Sequence, residues 1–93
     1  MFDREFSGQL VALRPKSLTD RDSGEVIRYF EVDLLLTEDD GKSRFTCSTT
    51  CGGRAFNGTA PEDFKGGEKV QVTLTPKLKA GQVTPKLSRI QKA

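Results

Sequence analysis

Two cysteines, a run of three carboxylates and a lysine-rich C-terminal half are the residues through which this chain could do chemistry, and its 93 residues include no histidine. Without an imidazole, Ser-His-Asp and Cys-His triads are excluded, as are histidine-ligated zinc and haem. An enzyme would need carboxylates or lysine as its acid and base. Cys47 and Cys51 are four positions apart. In a continuous strand their Cα atoms would be about 13 Å apart, too far for a disulfide. A fold-back at Gly52-Gly53 would be needed to bring them together. With no further Cys or His they cannot complete a structural zinc site. They read as small core-facing residues, reduced in a cytosol. Glu38-Asp39-Asp40, beside Gly41, reads as turn chemistry and solubility, with a weak cation site as the alternative. No G-x-x-x-x-G-K phosphate loop is present. No acid–base constellation is visible, so neither catalysis nor a cofactor is expected.

The charges are unevenly placed. The net charge is only +2, yet residues 1–40 carry five basic and ten acidic side chains, whereas residues 41–93 carry ten basic and three acidic ones. No acid follows Glu68, but Lys69, Lys77, Lys79, Lys86, Arg89 and Lys92 do. A basic half of this kind suits a polyanion; it also suits a solvated edge that discourages strand-to-strand aggregation. No run approaches the ~20 apolar residues of a membrane-spanning helix. The charged start, Met1-Phe2-Asp3-Arg4-Glu5, has no apolar signal-peptide core, so a cytoplasmic location is expected.

These residues must be positioned by a small core, because 93 residues, 34% of them hydrophobic, bound the chain to one domain spanning 1–93. Turn signals recur at Asp22-Ser23-Gly24, Asp39-Asp40-Gly41, Cys51-Gly52-Gly53, Asn57-Gly58, Gly66-Gly67 and Ala80-Gly81. Between them lie alternating, β-branched-rich runs, which predict strands at about 5–14, 26–37, 43–50, 68–78 and 82–90. Asp40-Gly41 is the signature of a two-residue type I′ hairpin. It pairs Leu36 with Phe45, Leu34 with Cys47 and Val32 with Thr49 on an apolar face; Thr37/Arg44, Leu35/Thr46, Asp33/Ser48 and Glu31/Thr50 take the other face.

A second hairpin about Ala80-Gly81 is predicted to pair Leu78/Val83, Pro76/Pro85 and Leu74/Leu87 on an apolar face, with Lys77/Thr84, Thr75/Lys86 and Thr73/Ser88 on a basic one. Its strands share the tetrapeptide Thr-Pro-Lys-Leu, at 75–78 and 84–87. Prolines in mid-strand imply an exposed backbone edge or a bulge. Thr59-Ala60-Pro61-Glu62 fits a capping box, which predicts a helix of one or two turns that Gly66 stops and Phe64 anchors.

The predicted class is therefore all-β: five antiparallel strands with one short helix between strands three and four, the order of an oligonucleotide/oligosaccharide-binding (OB) barrel. Glu62-Asp63-Phe64-Lys65-Gly66-Gly67-Glu68-Lys69-Val70-Gln71-Val72 looks like the helix-to-strand passage of small OB-fold proteins. Val83 to Ile90 is similar to their closing strand, and Glu5-Phe6-Ser7-Gly8-Gln9-Leu10-Val11 to their long first strand, bent at Gly. In element order and size the chain resembles the small single-stranded DNA-binding proteins of phages and plasmids.

That resemblance implies a replication-supporting, sequence-tolerant binder of single-stranded nucleic acid, DNA rather than RNA. Such a binder combines a basic groove with aromatic faces. The candidate contacts are Lys16, Arg21, Arg28, Tyr29, Arg44, Arg54, Phe56, Lys77, Lys79 and Lys86. Alternation assigns Phe30 and Phe45 to the core, and Phe6 sits with Leu10. Tyr29 faces outward, to stack a base or to cover the sheet; Phe56, in a loop beside Arg54, is either tucked under or presented to a ligand. Arg14, near Lys16, is a further cation in the region after strand one. Glu31 and Asp33 lie on the face that should meet phosphates, and repel them. The alternative function is a protein-interaction module in which the acidic half of one subunit docks on the basic half of another, and a homo-oligomer, a homodimer in the simplest case, is expected.

Overall fold

The computed structural model describes residues 3–93, the side chain of Lys79 excepted. Its strands are β1 (Arg4–Thr19), β2 (Val26–Thr37), β3 (Arg44–Cys51), β4 (Lys69–Lys79) and β5 (Gln82–Lys92). All pairings are antiparallel, in the order β3-β2-β1-β4-β5, and the sheet curls into an OB-like half-barrel. β3 and β5 are its two edges and face each other across an open seam. Across the seam the Thr49 hydroxyl donates to the Pro85 carbonyl at 3.1 Å.

β1 is the hinge strand. Residues 8–19 pair with β2 and residues 4–9 with β4, so both halves of the sheet meet near Gly8. A Cβ at Gly8 would sit 2.2 Å from the Leu35 carbonyl oxygen, which only glycine avoids. The register then skips one residue between Leu10 and Ala12. This bulge leaves Val11 outside and turns both Leu10 and Leu13 inward although they are three apart. β1 also runs past the predicted end at residue 14. Pro15 is tolerated because β1 has a neighbour on one side only there, so no N–H is required on the other.

The β2–β3 register is the predicted one, from Phe30/Cys51 to Thr37/Arg44. Val32, Leu34 and Leu36 are buried, with Thr49 buried and Phe45 and Cys47 half-buried on the same face. The turn itself differs from the two-residue type I′ expectation. The Gly41 N–H donates to the Glu38 carbonyl at 2.9 Å, the Glu38 N–H to the Ser43 carbonyl at 2.8 Å, and of the turn residues only Gly41 has positive φ. Asp40 explains the longer loop: its carboxylate accepts from the Lys42 and Ser43 N–H groups, each at 2.8 Å, and from the Ser43 hydroxyl at 2.6 Å. The type I′ geometry falls instead at the second hairpin, where Ala80 and Gly81 both have positive φ, 51° and 78°.

β4 and β5 pair as predicted from Leu74/Leu87 to Lys79/Gln82. Below that the register shifts, so Thr73 opposes Arg89 rather than the expected Ser88. Ser88 becomes the extra residue; its hydroxyl donates to the Thr73 carbonyl at 3.1 Å and accepts from the Thr75 hydroxyl at 2.9 Å. The bulge lets Leu87 and Ile90, also three apart, both point into the core. Beyond Leu74 no further strand forms a ladder with the hairpin, which extends as a two-stranded arm past β3. Pro76 and Pro85 face each other there, where no outer ladder needs their N–H groups.

The predicted short helix is reduced to a single 3-10 turn. The β3–β4 connection holds two 3-10 turns, Gly53–Phe56 and Pro61–Asp63. Ala60, not Thr59, is the N-cap of the second, and Phe64 is already extended (φ −89°, ψ 128°). A one-turn helix gains too few hydrogen bonds to offset its nucleation. Phe64 nevertheless plugs the barrel end, together with Phe56. The Phe56 ring packs edge-on to Phe30 with centroids at 5.0 Å and is tilted against Phe64 at 5.5 Å.

Candidate nucleic-acid interface

The seam between β3 and the β4–β5 arm opens into a cleft of about 300 Å³ whose walls include Tyr29, Thr50, Gly52, Lys77, Thr84 and Lys86. Each side chain arrives by register. Tyr29 stands on the outer face of β2, half-buried. Thr50 opposes Glu31 on β3, and Lys77 and Thr84 are an opposed pair on the arm's polar face, as Lys86 is with Thr75. The cleft thus combines two exposed ammonium groups, two hydroxyls and one aromatic ring, with no carboxylate among its lining residues. Such a lining can hold a phosphodiester by charge and hydrogen bonds while a flat apolar group rests on the ring.

Cys51 also borders the cleft, but its thiol is pushed up to about 11 by burial, against a smaller opposing pull from the Lys86 charge. Burial likewise raises the Cys47 thiol. Both are protonated at neutral pH and neither is an activated nucleophile.

The carboxylates on the β2 face have a partner that the sequence reading left unassigned. Arg14 opposes Glu31 in register, and its guanidinium lies 2.9 Å from Asp33 and 3.4 Å from Glu31. The Ser48 hydroxyl and then the Arg14 guanidinium hold the Asp33 carboxyl below its ordinary pKa; Asp33, followed by Glu31, holds that of Arg14 above its own. Two of the negative charges expected to repel a polyanion are therefore shared with one positive charge.

The predicted contacts divide into groups. Tyr29, Lys77 and Lys86 converge on the cleft. Lys16 directly opposes Tyr29, a pairing hidden from a first strand ended at residue 14. Arg54 is exposed in the 3-10 turn that follows Gly52. Arg21 lies in the exposed β1–β2 turn. Arg28 opposes Ser17 and by alternation points to the face opposite Tyr29. Arg44 is six strand positions from Thr50, about 20 Å along β3. It borders a separate recess with Ser7, Gln9 and Lys69. Phe56 is overturned as a base-stacking residue: it is 1% exposed, clamped between Phe30 and Phe64. The loop around it is polar, but the barrel end beneath that loop needs an aromatic plug. The side chain of Lys79 lies outside the described residues. Thr50 and Thr84 were not among the predicted contacts, although the two hairpin registers already placed them opposite Glu31, two residues from Tyr29, and opposite Lys77.

Fold and cleft together define a small all-β protein of OB-like architecture with a basic, hydroxyl-lined groove at its seam. Among the described residues no helix is long and apolar enough to cross a membrane. Comparison with protein-family models, with curated proteins and with solved structures found no match to this chain.

Proposed function

We propose that this chain binds single-stranded nucleic acid, DNA in preference to RNA, without sequence selection, and that it serves replication by covering exposed strands. The observation that carries the reading is the convergence of Tyr29, Lys77 and Lys86 on one carboxylate-free cleft. A base lies on the Tyr29 ring, Lys77 and Lys86 neutralise flanking phosphates, Thr50 donates to a phosphate oxygen, and Thr84 can do so by giving up its 3.4 Å bond to the Lys77 carbonyl. Lys16 and Arg54 extend the basic track on either side of the cleft. With Phe56 withdrawn into the core, a single base is stacked in the cleft, for about 1–3 kcal/mol. Most of the affinity therefore comes from phosphate contacts. With Lys16, Arg54, Lys77 and Lys86 engaged, log K should fall with log salt at a slope of about −3.

The test is a titration with oligo-dT, duplex DNA and oligo-U at several salt concentrations, followed by the fluorescence of Tyr29, the sole tyrosine. Quenching by oligo-dT with the steep salt slope, and weaker binding to duplex, is the expected result. Affinity that does not change with salt would overturn the reading.

A further inference from the structure

The inner face of the half-barrel is covered at one end by Phe56 and Phe64 but not at the other. There, a recess of about 440 Å³ has Phe6 and Phe45, their rings edge-to-face at 5.4 Å, with Arg4, Glu38, Asp39 and Asp40 around them. Both phenylalanines are only half-buried. Beside it, a second groove runs along the arm past Arg4, Phe6, Pro76, Val83 and Pro85. At the arm's end Leu78 and Val83 oppose each other and are 65% and 56% exposed. A cross-strand aliphatic pair exposed to water this far from the core gains little burial within its own chain.

We propose that the occupant of this recess is the arm of a second copy of the chain, in a reciprocal two-fold dimer that places Leu78 and Val83 of each copy against Phe6 and Phe45 of the other. Three features favour a second copy. First, net charge is complementary at a distance: Arg4 pairs with Asp39 at 2.6 Å, which leaves the recess rim a net of two negative charges, while the arm carries Lys77 and Lys86 on its far face and no acid. Second, Arg4 and Phe6 border both the recess and the arm groove, so the donating and accepting surfaces are continuous and one two-fold axis satisfies both at once. Third, Pro76 and Pro85 remove N–H donors from the arm, which disfavours strand addition at its edges and leaves its apolar face as the docking surface. Lys77 and Lys86 stand on the arm's opposite face, so the dimer leaves the seam cleft open. The proposal does not depend on nucleic-acid binding.

Sedimentation equilibrium of the full chain, without nucleic acid, tests it. The expected result is a monomer–dimer equilibrium that tightens at low salt. Leu78→Asp should weaken it by about tenfold or more, as loss of a buried aliphatic contact implies. Glu38→Gln, which leaves the Arg4–Asp39 ion pair intact, should weaken it less and flatten its salt dependence. Circular dichroism and thermal unfolding confirm that each variant folds, as substitutions at exposed positions should allow. A chain that stays monomeric at high concentration, a dimer indifferent to Leu78→Asp, or growth beyond the dimer into open chains would each overturn the arrangement.

Discussion

Tyr29 and Phe56 are two aromatic residues that a sequence pattern treats alike and a barrel treats differently. Each lies near an arginine in a polar context, but strand alternation puts Tyr29 on the outside, whereas the plugged barrel end draws Phe56 to 1% exposure. Replacing each therefore has a different signature. Tyr29→Ala should cost about 1–3 kcal/mol in affinity for oligo-dT, with Tyr29→Phe close to wild type and thermal stability unchanged in both. Phe56→Ala should cost about 3–5 kcal/mol of folding stability, read by chemical unfolding.

Asp33 offers a test by pH at the same scale. Its folded pKa is lowered by Ser48 and Arg14, so its contribution to stability is complete above the unfolded aspartate value of about 3.9 and is lost as pH falls through the folded value. Wild type should be more stable than Asp33→Asn at pH 6. The two unfolding curves should converge in acid; a gap that persists there would rule out ionised Asp33 as the source.

At the scale of elements, register was the most legible quantity. The β2–β3 hairpin pairs throughout as its turn position and apolar alternation require, and the β4–β5 hairpin does so as far as Leu74/Leu87, because a one-residue slip there would send the core side chains to solvent. Turn geometry was less legible, since the pair Asp-Gly announces a turn without showing that the Asp40 carboxylate will capture Lys42 and Ser43 and lengthen it. The two bulges could have been read: Leu10/Leu13 and Leu87/Ile90 are apolar pairs at a spacing of three inside strands, which a regular pleat sends to opposite faces. The cleft was half legible. Lys77, Lys86 and Tyr29 could be named, but their convergence depends on how far the sheet curls, which no local pattern encodes.

The arm's turn carries an avoidable strain, because Ala80 adopts a left-handed φ of 51°. Ala80→Gly or Ala80→Asn should raise stability by about 0.5–1 kcal/mol in thermal unfolding. A decrease would mean that the arm is held by contacts other than its turn.

For the molecule as a whole, the open seam decides what the fold can do. The element order would allow β3 to lie beside β5 and close the barrel, but they remain the two edges of the sheet, and the space between them is the cleft. Closure by a ladder would bury the backbone edge at Thr50–Gly52 and leave no room for a strand of nucleic acid. The seam is instead bridged by buried Thr49, whose hydroxyl donates to the Pro85 carbonyl one residue before Lys86. Thr49→Val keeps the shape and removes the donor, so the Pro85 carbonyl must turn to water or stay unpaired. The cost should be about 1–3 kcal/mol of stability. Affinity for single strands should fall several-fold because Lys86 is no longer held opposite Tyr29, while the salt slope stays the same because no charge is lost. Loss of stability with affinity intact would mean that nucleic acid itself brings the two edges together, and that the arm swings onto the strand rather than waiting in place for it.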